Sequence, residues 1–288
     1  MIDPGALDAL RLAFKALEYG AALLAAGTAL FLAAHGAAMG EGGRSAARRL
    51  GVIAALAGVS FVGLRFAAEA LWLAGGDVAL AVDPMLLGAI GGSAFGVAAL
   101  VRAGGLALLA IALLSARRLP AALAALAICA SFALVGHSLR EPRPLLASLV
   151  ALHIASAAYW IGAFAPLRGA ALRRPNAEAA ALAAAFGRNA LVAVPALVAA
   201  GAALLVLLGG SFGAALATEW GRALALKLAF VSALLALGAA NKRRLTPALA
   251  RGEAGAARAL RRSVEAEMAL ALFVVVATAV ATTSAAPE

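Results

Sequence analysis

The chain has 288 residues, of which 65% are hydrophobic and 13% charged, with a mean hydropathy of +0.99 and a formal charge of +10. So apolar a composition excludes a soluble domain of this length and places the chain in a lipid bilayer. In that setting the positive charge marks loops held on one side of the membrane, not a nucleic-acid surface, and the single cysteine, Cys129, excludes an intrachain disulfide or a cysteine-rich metal cluster.

The apolar runs are continuous and about 20 residues long, without the alternation of a membrane strand, so the fold class is all-α, a polytopic membrane helix bundle. In chain order, eight transmembrane helices are expected at 14–39, 49–74, 84–114, 119–138, 145–167, 188–209, 220–240 and 263–283, forming a single transmembrane domain over 1–288. The first of them follows Met1-Ile2-Asp3-Pro4, which lacks the basic start of a signal peptide, and is expected to remain as a helix. Eight crossings put both termini on one side. Loops after odd-numbered helices hold sixteen Lys and Arg, among them Arg44, Arg117, Arg174 and Lys242, against five on the other side. The positive-inside rule then places both termini, and the loop around His137, outside the cytoplasm.

Trp72 and Trp220 fall at outer helix ends, as interfacial anchors do. The two longest connections, 168–187 and 241–262, are Ala- and Arg-rich and are expected to lie as amphipathic segments on the anionic leaflet. Gly88, Gly92 and Gly96, and Gly36 with Gly40, have the four-residue spacing that lets helices approach closely.

Ionisable groups at membrane depth need a partner or a cavity. Glu18, Arg65, Glu69, His137, His153 and Lys227 fall in the outer half, Arg102 near the middle, and His35 and Glu267 near the inner end. Arg65 and Glu69, four residues apart, are expected to pair within one helix. Depth makes Glu18 and Glu69 the expected neighbours of Arg102, and one of them a partner for Lys227.

The most chemically loaded stretch is the hairpin from Gly136 to Gly162. His137 ends one apolar run, Pro142 and Pro144 break any helix through the loop, and His153 lies about 12 Å into the next helix. Two imidazoles flanking one hairpin suit Cu, Zn, Fe or Ni, and thioethers or a thiolate would select Cu(I). Met85, at the outer start of the third helix, is a possible third ligand. Cys129, eight residues before His137, is by default a core cysteine and secondarily a ligand. His35 and Glu267 make a possible second, inner station. No nucleophile–base pair or phosphate-binding loop suggests an enzyme.

These residues resemble the copper resistance protein D (CopD) family of bacterial inner-membrane proteins. The resemblance runs over about 130–287. It is carried by Gly136-His137, by Leu152-His153 with Ala157, Trp160, Gly162 and Pro166, and by Gly221-Arg222 through Lys227 to Asn241-Lys242-Arg243 and Pro247. Arg261-Arg262-Ser263-Val264 with Glu267, and Pro287, complete it. It implies movement of copper between periplasm and cytoplasm across the inner membrane, with a periplasmic copper carrier protein as donor. Two alternatives stand beside a copper permease: a b-type haem protein using histidines on neighbouring helices, and an accessory membrane protein without an ion path.

Overall fold

The computed structural model describes residues 3–208 and 219–283, apart from the side chains of 137, 138, 208, 219 and 220. In chain order the helices are α1 (Pro4–His35), α2 (Glu41–Leu73), the short α3 (Val78–Ala81) and α4 (Pro84–Gly92), α5 (Ala94–Leu114), α6 (Arg118–Ser131), α7 (Arg143–Arg173), α8 (Asn176–Leu208), α9 (Glu219–Ala240), α10 (Thr246–Ala250) and α11 (Ala256–Ala281). Among the described residues there is no strand, and seven helices are long and apolar enough to cross a membrane. The stretch 118–134 is shorter. The protein is an all-α, multi-pass membrane bundle.

Helix ends follow local chemistry. Pro4 and Pro84 occupy first-turn positions behind Asp3 and Asp83, whose carboxylates accept amide bonds from the opening turn. The expected span 84–114 is divided at Ser93, behind the helix-weakening pair Gly91-Gly92. Ser93 Oγ accepts from Gly96 N at 3.2 Å, and a Cβ on Gly96 would stand 2.3 Å from the Ile90 carbonyl, so only glycine closes this corner. The expected span 119–138 stops early: one 3-10 turn over Phe132–Leu134 leads to extended Val135 and to Gly136 at φ +69°, a left-handed conformation that favours glycine.

The two basic connections differ from expectation. Residues 168–187 are not a separate surface segment; α7 runs on to Arg173 and α8 starts at Asn176, because alanine-rich sequence with spaced arginines continues a helix readily. Over 241–262 the chain makes one π turn, Asn241–Leu245, ahead of Pro247, then α10, a glycine turn and the start of α11.

α1 is central, packed against α2, α6, α7 and α11, while α7 also meets α8 and α11. The crossing of α1 and α7 is unusually close. A Cβ on Gly27 would lie 1.9 Å from the Ala158 carbonyl oxygen, and one on Gly162 would lie 2.0 Å from the Gly27 carbonyl carbon, so α1 and α7 touch backbone to backbone. Of the glycines expected to serve this role, Gly96 does so at the α4–α5 corner, whereas Gly88 and Gly92 face open space, and Gly36 and Gly40 meet the arginine side chains of Arg118 and Arg174.

Lys15 Nζ donates to Thr283 Oγ1 at 3.0 Å and Trp72 Nε1 to Asp8 Oδ1 at 2.8 Å, which gathers the start of α1, the end of α2 and the end of α11 at one end of the bundle. At the other end Arg44 donates to the carbonyls of Gly36 and Met39, Arg174 to that of Ala38, and Lys242 to that of Gly187. Most of the basic loop residues therefore share one end, hereafter the basic end. The Trp220 side chain and Pro287 lie outside the described residues.

Candidate functional site

Among the described residues, polar groups inside the bundle form three clusters. The first fills the half built from α1, α2, α5 and α6. Glu18, 1% exposed, accepts from Arg65 Nη1 at 2.6 Å and from Arg102 Nη1. Arg102 Nε also donates to Ser131 Oγ at 2.9 Å, and its guanidinium lies 3.9 Å over the Phe132 ring. Arg65 faces Phe95 at 4.9 Å. The expected Arg65–Glu69 pair is not made: Glu69 instead takes both bonds of Arg11, at 3.0 and 2.8 Å. Glu18 on α1 outcompetes the same-helix neighbour because it is buried and must be neutralised from both sides. With both carboxylates committed to arginines, neither is the expected partner of Lys227. Lys15, 8% exposed, joins this cluster although sequence reading left it among the loop cations.

The second cluster surrounds His35. Its Nε2 lies 2.7 Å from the Tyr159 hydroxyl, and Phe31, Tyr159 and Phe186 pack about the ring with centroids at 4.8, 6.1 and 6.5 Å. Tyr159→Phe is expected to cost about 1 kcal/mol through loss of this buried bond. A small fall in the thermal midpoint of the purified protein in detergent checks this.

The third lies between α7, α8, α9 and α11. His153 Nδ1 is 3.0 Å from the Leu197 carbonyl oxygen, and the ring edge would stand 3.0 Å from a Cβ on Gly201, so the imidazole packs closely into a notch that this glycine leaves on α8. A carbonyl can only accept, so Nδ1 carries the proton and Nε2 keeps its lone pair. Seven residues on, Trp160 Nε1 donates to Glu267 Oε2 at 3.1 Å, while Asn241 Nδ2 donates to Glu267 Oε1. Glu267 is 3% exposed. Seven residues make nearly two helical turns, so His153 and Trp160 share one face of α7 about 10 Å apart along its axis.

His35 and Glu267 have different hydrogen-bond partners. They are held by Tyr159 and Trp160, consecutive residues that point about 100° apart around α7. Met85 is 85% exposed on α4, and Cys129 is buried in the hydrophobic core. Gly136–Leu139 forms a 3-10 turn ahead of α7, but the His137 side chain lies outside the described residues, so its approach to His153 is not among the observed contacts. Among the described residues no group of three or more His, Cys, Asp or Glu side chains is assembled as a metal site. The third cluster was missed by sequence reading because its members lie on separate helices. Their signal was present, since Trp160, Asn241 and Glu267 all carry the resemblance noted above.

Residues 6–143 match the family described as copper resistance protein D-like, N-terminal domain, and residues 180–281 match copper resistance protein D. The chain belongs to the copper resistance protein D family. It is thus a membrane protein of copper resistance and transport, and the likeness extends into the first half, where sequence reading found only apolar helices. No curated protein and no solved structure matches the chain. Most of α7 falls between the two matched stretches of this CopD chain, and it contributes a side chain to both the second and the third cluster.

Proposed function

We propose that this CopD protein is a permease that moves copper across the membrane through the half of the bundle formed by α7, α8, α9 and α11. His153 Nε2 is the capturing ligand, His137 its first contact on the outer side, and Glu267 the carboxylate that receives the ion toward the basic end. The observation that carries this is the His153–Leu197 bond, which fixes the ring and leaves a lone pair free at membrane depth. Trp160, two turns further along the same face, holds the Glu267 carboxylate of α11, which supplies the negative charge that a cation needs there. The first half is an unsuitable route: Arg65 and Arg102 share the one carboxylate of Glu18, and buried Lys15 adds a further cation, so its interior opposes a cation.

With positive charge held in the cytoplasm, this order of ligands makes the movement inward across the bacterial inner membrane, and the donor a periplasmic copper carrier. Copper bound to purified protein is the direct measurement: His153→Ala is expected to reduce it to background, and undiminished stoichiometry rules the site out. Glu267→Gln is expected to leave that binding intact while stopping copper accumulation in cells. Lys227 lies on α9, in the same half of the bundle. Such a charge weakens retention and aids release, since conduction requires binding weak enough to leave. Lys227→Gln is accordingly expected to bind copper more tightly, read as slower loss to a chelator.

A further inference from the structure

We propose that the cleft at the basic end between the α1–α2 turn, α7, α8 and α11 binds an anionic phospholipid. The cleft has a volume of about 490 Å³, within the range of small-molecule sites. Among the described residues its charged lining is Arg168, Arg173 and Arg174, with no carboxylate. Arg168 donates through Nε to Glu265 at 2.8 Å, and Arg174 pairs with Glu178 at 2.8 Å, so each guanidinium retains further N–H donors. Arg173 is exposed, folds back over Gly169 and makes no ion pair among the described residues.

The floor is bare of side chains. Gly42 meets nothing within 4 Å, and Gly40 leaves room for the Arg174 guanidinium. Below the arginines the lining is apolar, with Leu50, Pro166 and Leu182, and it opens past Ala46 and Met268, the latter 41% exposed. Cationic mouth, glycine floor and apolar wall reproduce the order of a lipid: phosphate, glycerol, acyl chain. Basic pockets between membrane helices hold anionic headgroups for this reason.

The same cleft takes in Met39 and Met268, two of the four methionines, which raises Cu(I) as a rival occupant. Glu265 and Glu178 offset Arg168 and Arg174, but Arg173 leaves the mouth net positive and the carboxylates do not line the cleft, so the charge decides for the anion. A free phosphate would use the arginines but leave the apolar wall unoccupied.

Native mass spectrometry of the purified full chain, equilibrated with equal phosphatidylglycerol and phosphatidylcholine, tests this without any copper readout. At least about fivefold enrichment of phosphatidylglycerol is expected, equivalent to the ~1 kcal/mol of a single basic residue at a membrane surface. Arg168→Gln/Arg173→Gln/Arg174→Gln should abolish the enrichment. Gly42→Leu, which fills open space and keeps every charge, should displace the lipid while the protein still elutes as one species. Equal retention of both lipids, unchanged enrichment in both variants, or displacement of the lipid by inorganic phosphate or by Cu(I) overturns the proposal.

Discussion

Gly27→Ala and Gly162→Ala are each expected to prevent accumulation of folded, monodisperse protein. Inserting methyl groups into a packed core ordinarily costs about 1–3 kcal/mol, because side chains and backbone shift to make room. Here nothing local can shift. A methyl on Gly27 meets the Ala158 carbonyl oxygen at 1.9 Å and the Gly162 amide nitrogen at 2.9 Å, and both belong to the hydrogen-bonded backbone of α7. Relief requires moving α7 off α1, which also opens the α1 packing that the whole bundle shares. Gly20 and Gly63 provide the control: each is helical with no atom within 4 Å of the added methyl, so alanine there is expected to be neutral or to stabilise by up to about 1 kcal/mol. Size-exclusion profiles and thermal midpoints of the four single variants separate the outcomes. Midpoints for Gly27→Ala and Gly162→Ala equal to those of the controls would contradict the crossing.

Glu18→Gln is expected to destabilise the protein by about 3–5 kcal/mol. Removing one partner from a buried ion cluster strands the others without compensation. Glu18 is 2% exposed at its side chain and lies between Arg65, 14% exposed, and Arg102, 2% exposed, so both guanidiniums lose their counter-charge away from water. The Arg11–Glu69 pair is about one-fifth exposed on each side, and Glu69→Gln is expected to cost only about 1 kcal/mol. If stranded charge is the cause, Glu18→Gln/Arg102→Met recovers part of the loss, because the deeper of the two cations is then gone. Denaturant or thermal unfolding in detergent measures all three. A double variant no better than the single would assign the cost to packing instead.

These two cases mark what could be read in advance. Continuous apolar runs declare helices and a membrane, and they did so at nearly every span. Depth along each helix brought Glu18 to Arg102, since both lie at one level on neighbouring helices. The Arg65–Glu69 pairing failed because i, i+4 spacing reports only what a helix can do alone, whereas Glu18 and Arg11 come from another helix. The Gly27–Gly162 contact has one glycine on each of two helices, so a search for repeats along one helix passes over both. The same holds for Trp160, Asn241 and Glu267, separated by as many as 107 residues. Each is an ordinary residue in its own segment, and their meeting depends on how α7, α9 and α11 cross. Gly136 and Ser93 ended helices where the runs of hydropathy did not, because backbone conformation and capping act below the resolution of an apolar average.

The early end of α6 bears on the proposed route to His153. From Arg118 to Leu134 the chain rises about 25 Å, short of the ~30 Å hydrocarbon thickness of a bilayer. A crossing too short for its membrane thins the bilayer around it. Water and headgroups therefore descend beside Gly136 and the start of α7, and His153, ten residues past Arg143, lies closer to bulk solution than its place in the helix implies. On the proposed permease route, a hydrated ion meets the protein in this dimple of the membrane and sheds its water there, below the general plane of the headgroups.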